Sequence, residues 1–589
     1  MSASTPQESG EVRIGHSLNK EEEEFVAKRR KDIQQSLKKL KIHCSENEVP
    51  NIALLGSGGG QRAMVGLLGS LVQLQKTGLL DCILYLSGVS GSTWCMASLY
   101  QEPDWSTKLE TVKDKIVQRL NGPGVNWAKS FHKMWNFYQK KDFFSFTDFW
   151  AAMVITDYVK EIDEDTLTDH WDQQSNDPFP IYTVIDKQCK QDEDADPWFE
   201  FTPYEAGYSL IGAFVETSSF GSKFEKGCKI KKQPEMDMLY LQALCGSAVA
   251  EGEENREIIW KQIQGATSFI LKIQFCLKLT IISLSCKIKL HLISTPDSFK
   301  NVIGLPKTEK GKGDLGSTFL DGYFYLLKDF VEIELSVLSN KDPSDLDEYI
   351  STKLNELTGG LLENDLLHIL KSIVKCIVQW IWGRKYNFLY KMKDEAVPST
   401  LRKSETRDYI DAGLLLNSPY FSVLREERKV DLIISLDFSE DDPFMAVKKA
   451  VKMCKKRKIN FPKVKIPDED VKKPKDFYVF KGQNAPTVIH IPLLNEVNCG
   501  DKIEDMRNRY RTVQGPYSPK MITELMEVAG KNITNNRAKL LDQIRAAIKG
   551  SGTVSWLKFG YTPYDSLWFM TWPLIVALIS SVILILAFR

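Results

Sequence analysis

The chain is 589 residues long, with 43% hydrophobic, 26% charged and 11% aromatic residues, a balance that excludes a disordered or fibrous protein. Lys plus Arg and Asp plus Glu both number 77, so no global field favours nucleic acid or an acidic substrate. A prior of roughly one domain per 150 residues suggests about four, which elaborated single domains often break.

The first residues, MSASTPQESGEVRIG, lack the apolar stretch of a signal peptide, and Ser2 excludes N-myristoylation. Eleven cysteines, an odd count with no CxxC pair, fit reduced thiols rather than a disulfide framework or a zinc site. Both features read as a cytosolic body. Residues 17–41 form a charged helix with apolar positions at Phe25, Ile33, Leu37 and Leu40; its Glu run followed by a basic run reads as a solvated helix complementing its own dipole.

Next come a buried strand from Asn51 to Leu55, a glycine loop, and a helix from about Arg62 to Lys76 stopped by Gly78. A second apolar run, Cys82 to Leu86, leads through Ser87-Gly88-Val89-Ser90-Gly91-Ser92 into another helix near Thr93. Two strand, turn and helix units in succession predict an α/β fold with a largely parallel sheet. Between residues 100 and 400 the aromatic segments 142–150 and 198–214 read as packed core or cap, 192–196 as an acidic loop, and 306–316 as an exposed, flexible one. Strand character returns in KVDLIISLDFS from Lys429, followed by a basic helix at Lys448–Lys458 and a strand at 487–495.

Three stretches bear on lipid. Segment 269–293 is apolar but carries Lys272, Lys278, Lys287 and Lys289, a pattern open to an interfacial segment or to core elements with snorkelling lysines. Segment 366–383 is amphipathic, with Lys371 and Lys375 on one helix face and core packing as its default role. Leu567 to Phe588 runs about 22 residues without a charge, enough at about 1.5 Å per residue to cross a ~30 Å hydrocarbon core. Trp568 and Trp572 stand at its near edge, where interfacial aromatics belong, and the layout is that of a tail anchor.

Chemistry concentrates in the two turns. Gly56-Ser57-Gly58-Gly59-Gly60 sits between a strand and a helix, where free amides and the helix dipole favour negative charge. Gln61 stands where a dinucleotide fingerprint needs glycine, and no Gly-Lys-Ser/Thr follows, so both nucleotide readings fail. The loop is either an anion-stabilising turn with Arg62 at its exit or simply a tight turn. Gly88-Val89-Ser90-Gly91 falls where a nucleophile elbow places its serine, with Ser87 and Ser92 as competing hydroxyls. A serine needs a base. None of the seven histidines (His16, His43, His132, His170, His291, His368, His490) has a recognisable turn context; His490, inside an alternating strand, is the best of them. Asp411, in YIDAGLLLN at a plausible strand end, offers a desolvated carboxylate instead, or an ordinary Asx-turn.

The segments LLGSGGGQRAM, YLSGVSGSTW, FEFTPYEAG, FGSKFEKG and IDAGLLLN, in this order, resemble the catalytic domain of the cytosolic phospholipase A2 family, which shares a Ser/Asp dyad with patatin-like lipases. The resemblance spans roughly residues 15–550 and is greatest to the calcium-independent gamma form, because no N-terminal C2 domain precedes the catalytic segments. It implies a patatin-like three-layer α/β domain with a central mixed, largely parallel sheet and a cap over an acyl funnel. Along the chain it implies an N-terminal helix at 1–45, the catalytic domain with inserted cap at 46–550, a linker at 551–566 and the transmembrane anchor at 567–588. By motif, Ser90 is the nucleophile, Asp411 the base, Gly59 and Gly60 the oxyanion donors with Gly58 opening the loop, and Arg62 the phosphate-binding residue. The chain ends Leu-Ala-Phe-Arg instead of in the prenylation box that gamma-like relatives can carry, so the resemblance carries over membrane attachment but not its chemistry.

The expectation is therefore a cofactor-free, metal-free and calcium-independent hydrolase of phospholipids and lysophospholipids. It would sit on the cytosolic face of the endoplasmic reticulum or another internal membrane and transfer acyl groups to alcohols as well as water. The rival is a catalytically silent lipid-binding protein of the same fold.

Overall fold

Both predicted strand, turn and helix units form, and they stand side by side. The computed structural model describes residues 12–191, 196–250 and 379–555 apart from 513, with scattered positions between 352 and 376. β1 (Val12–Ile14) and α1 (Lys20–Lys39) precede the first unit, β2 (Ile52–Gly56) and α2 (Gly60–Lys76); the second is β3 (Tyr85–Gly88) and α3 (Gly91–Tyr100). Then come β4 (Phe179–Asp186), β5 (Trp198–Phe201), β6 (Glu205–Tyr208), β7 (Ala213–Glu216) and a separate hairpin of β8 (Lys223–Glu225) with β9 (Cys228–Lys231). β10 (Arg384–Tyr386), β11 (Thr406–Asp411), β12 (Leu432–Asp437), β13 (Tyr478–Phe480) and β14 (Thr487–Pro492) complete the strands.

The main sheet runs β1-β7-β6-β5-β4-β3-β2-β12-β14-β13, with β11 also pairing β4 and β10 pairing β11. Its centre, from β4 through β3, β2 and β12 to β14, is parallel; the flanks are antiparallel. β2, β3 and β12 are buried along their whole length, which is why they read in the sequence as unbroken apolar runs rather than alternating ones. Each fully buried Leu or Ile there contributes about 1.5–3 kcal/mol of transfer free energy. The aromatic segment 198–214 becomes antiparallel β5, β6 and the start of β7, while 142–150 ends in the buried helix Phe146–Trp150.

Several expectations change. α1 is not a solvated helix: besides Phe25, Ile33 and Leu37 it buries Glu22 and Arg29. Glu22 is paired by the Arg428 guanidinium at 2.9 Å and Arg29 donates to the Ile83 carbonyl at 2.9 Å, so the charges enter the core with partners. From residue 12 onward, β1 and α1 thus pack into the same core as the rest. The linker expected from residue 551 begins inside the helix Arg537–Ser555. The basic helix starts earlier, at Met445, and ends at Arg457. In segment 366–383, Ile369 and Cys376 are buried, as core packing requires. Segments 269–293, 306–316 and 567–588, and residues 192–195 of the acidic loop, lie outside the described residues. Among the described residues no helix is long and apolar enough to cross a membrane.

Candidate active site

β2 and β3 are parallel neighbours in register, Gly56 beside Gly88, so their two turns open at the same end of the sheet. Ser90 occupies the apex of the second turn with φ 51° and ψ −125°, a conformation costing a non-glycine residue about 1–3 kcal/mol. The Thr93 hydroxyl donates to the Ser90 carbonyl and holds this geometry. Gly91 follows because nothing larger fits: a Cβ there would lie 1.8 Å from the Gly60 carbonyl oxygen. The elbow and the glycine loop are therefore in backbone contact. Of the competing hydroxyls, Ser87 donates to the Ile181 carbonyl at 3.1 Å and Ser92 to the Ser57 carbonyl at 2.7 Å, both fully buried. They tie the turns to the sheet and leave Ser90 at the apex.

Asp411 ends β11, whose antiparallel pairing with β4 sets Asp411 opposite Val184. Its amide donates to the Ser247 hydroxyl oxygen at 3.0 Å, and Oδ1 accepts the Gly413 amide at 2.8 Å. The carboxyl is fully buried, and desolvation raises its pKa from 3.8 to about 7, against the opposing pull of the Gly413 amide and the Ser90 hydroxyl. The Ser90 hydroxyl lies close enough to favour the charged carboxylate, and Oδ2 has no hydrogen bond of regular geometry. Such contacts often tighten only around substrate. A carboxyl poised near neutrality suits a general base.

α2 and α3 both begin at this point, with Gly59 and Ser90 as their N-caps, so two positive helix ends converge beside the hydroxyl. The first amides of a helix have no intrahelical acceptors, and those of Gly59 and Gly60 belong to this class. Gly59 has φ 154°, and a Cβ there would strike the Phe438 carbonyl oxygen at 2.7 Å. Gly58 differs from the other two: its amide donates to the Asn417 carbonyl at 3.3 Å. That bond anchors the loop and leaves the Gly58 amide already engaged.

Arg62 also departs from expectation. Its side chain is 1% exposed; Nε donates to the Phe438 carbonyl at 2.7 Å, one terminal nitrogen to the Tyr510 carbonyl, and the other to Thr512 Oγ1 at 3.0 Å, with Glu440 at 3.5 Å. Each guanidinium nitrogen already has a protein acceptor, so the geometry makes Arg62 a strut under the glycine loop and not a donor open to a phosphate. His490 is removed as a base: it lies fully buried in β14 between Phe444 and Tyr478, Nε2 meets the Pro443 carbonyl at 2.9 Å, and burial lowers its pKa to about 4.

Sequence reasoning missed Asn417. It accepts the Gly58 amide on its carbonyl and donates Nδ2 to the Gly58 carbonyl at 3.3 Å and to Ser439 Oγ at 3.0 Å, clasping the loop to the chain that carries Asp411. An asparagine before Ser-Pro carries no signal of such a role. A cleft of about 1050 Å³ opens elsewhere, near the starts of β12 and β14, and neither Ser90 nor Asp411 lines it. The cap expected over the site falls largely within segments outside the described residues.

A family model described as a lysophospholipase catalytic domain matches residues 52–251. Cytosolic phospholipase A2 gamma of Homo sapiens is 34% identical over 549 residues, covering 91% of this chain and 96% of that protein. The Mus musculus gamma protein is 31% identical over 587 residues, at 91% and 92% coverage. Among solved structures, human GIVD cytosolic phospholipase A2 superposes with a TM-score of 0.65 at 22% identity, covering 92% of this chain and 69% of that one. Its complex with methyl gamma-linolenyl fluorophosphonate gives 0.61 at 22% identity, covering 93% and 67%. At that identity the structural likeness concerns the fold alone.

Proposed function

The chain belongs to the cytosolic phospholipase A2 family, as a gamma-like member and a hydrolase of phospholipase A2 and lysophospholipase type, and on that premise we propose that Ser90 and Asp411 perform the chemistry without calcium. Asp411 takes the Ser90 proton as Oγ attacks the ester carbonyl of a glycerophospholipid. The oxyanion that forms meets the Gly59 and Gly60 amides at the start of α2, in the field of two helix N-termini. Collapse returns the proton from Asp411 to the departing glycerol oxygen and leaves an acyl ester on Ser90. Water, deprotonated by Asp411, releases the fatty acid by the reverse sequence. A lysophospholipid hydroxyl attacking in place of water yields a new diacyl lipid, so one intermediate serves hydrolysis and transacylation. No step calls for a cation.

The observation that carries this reading is Ser90 held at a strained elbow against a buried carboxyl poised near pH 7. Attachment to an internal membrane, on its cytosolic face, is the companion proposal; its support is the uncharged sequence from Leu567 to Phe588. The test is product analysis with defined diacyl and lysophospholipids in excess chelator. Fatty acid release that persists, together with acylated lysophospholipid, is expected; complete inhibition reversed by calcium refutes the calcium-free mechanism.

A further inference from the structure

The loop between Val159 and Phe179 has no part in the chemistry above, yet it holds a histidine in a costly position. The His170 side chain is 4% exposed, and neither Nδ1 nor Nε2 has a hydrogen-bond partner. Nε2 lies 3.4 Å from Oδ2 of the buried Asp163 and 3.8 Å from Oδ2 of Asp165, whose side chain is 70% exposed. Ligand atoms of all three residues lie within 4.8 Å of one another. Buried polar atoms left without partners are rare, and an ion is one of the few things that resolves them.

The spacing suits such an ion. Bonds of about 2.0–2.2 Å to imidazole nitrogen and carboxylate oxygen in a tetrahedral arrangement place neighbouring donor atoms about 3.3–3.6 Å apart. The Asp163 edge is already there; Asp165 stands 3.8 Å from Nε2 and within 4.8 Å of the other ligand atoms, so its exposed carboxylate has to swing in by up to about an ångström to close the shell. The backbone is fixed beforehand: Asp163 and Asp165 accept the Leu239 and Met238 amides at 3.1 and 2.8 Å, Asp163 Oδ1 accepts the Asp165 amide at 3.2 Å, and the His170 amide donates to the Thr166 carbonyl at 3.1 Å. Glu164, next in sequence, is taken by Lys133 at 2.7 Å and is not a further ligand.

We propose that Asp163, Asp165 and His170 form a structural site for a divalent cation of the zinc class, bound through Nε2 and one oxygen of each carboxylate, with water completing the shell. An imidazole ligand disfavours calcium and magnesium, which prefer all-oxygen shells. The bound ion would brace the N-terminal end of the helix Met238–Cys245. Just beyond that helix's other end, Ser247 receives the Asp411 amide, so the ion's effect is on the rigidity of the scaffold and not on a chemical step. With zinc on Nε2, Nδ1 keeps its proton without an acceptor, and a missing partner of this kind weakens metal sites by about 10–100-fold. Binding is therefore moderate and reversible.

The experiment uses the full chain, stripped with chelator and titrated with Zn2+, and with Co2+ for its visible spectrum. One equivalent is expected to bind and raise the Tm, with no effect of Ca2+. Asp165→Asn, at an exposed position that the fold does not need, and His170→Gln are each expected to weaken uptake by at least about tenfold. Absence of uptake overturns the proposal. So does uptake that both variants leave unchanged, which would place the metal on thiols.

Discussion

Two buried aspartates end strands that are successive in the chain but apart in the sheet, and locally they are twins. Asp411 closes β11 and Asp437 closes β12; each accepts the amide two residues on, from Gly413 at 2.8 Å and Ser439 at 3.0 Å. Each keeps an Oδ2 without a hydrogen bond, and burial raises each to about 7. What distinguishes them is what stands opposite. Asp411 has the Ser90 hydroxyl, whereas Asp437 has Ser439, the Arg62 charge and the like charge of Asp442. A desolvated carboxyl at a strand end is thus only a poised group; in the proposed mechanism it is the hydroxyl on a strained turn that makes Asp411 a base.

The sharpest way to break this comparison is to remove each partner. Ser90→Ala and Asp411→Asn are each expected to lower kcat by about a thousandfold or more with folding retained, since members of such a unit do not act additively. Asp437→Asn should cost less than about tenfold. Comparable losses at both aspartates, measured on a micellar phospholipid, would show that the serine contact is not what separates them.

Arg62 tests the same region at intermediate size. A strut held by Phe438, Tyr510 and Thr512 supports the loop for every substrate, so Arg62→Ala should reduce hydrolysis of a phospholipid and of an uncharged short ester alike, by about 10–100-fold. A loss confined to the phospholipid would return to Arg62 the phosphate-binding role that the motif suggested.

The smallest effect is on stability. Both carboxyls hold their proton in the folded state up to about pH 7 but release it near 3.8 when unfolded, so the folded state binds more protons between those values. Stability therefore falls as pH rises from about 4 to about 7. Asp437→Asn should remove part of that slope, raising the Tm at pH 8 by on the order of 2 °C while leaving pH 4 nearly unchanged. A Tm that falls at pH 8 would mean that the ionised form is the stabilising one.

Much of this site was legible because its signals are local. The two strand, turn and helix units, the apex serine and the glycine loop follow from residue types a few positions apart, where turn chemistry and apolar runs act directly on the backbone. The edges of these elements shifted by a few residues, as at Met445, because helix ends are set by neighbours. α1 was misread for a related reason: Glu22 and Arg29 look solvated until Arg428 and the Ile83 carbonyl, far along the chain, are brought to them.

By itself the sequence determined an α/β fold with two adjacent functional turns, and by family resemblance the pairing of Ser90 with Asp411. Only the tertiary structure decided which donors remain at work. Gly58 is claimed by Asn417, Arg62 by two carbonyls, Thr512 and Glu440, and His490 by the Pro443 carbonyl, while Asp411 is left facing the serine. A residue's type fixes what it can donate or accept, but burial and long-range partners fix what it has left to offer, and neither is written in local sequence.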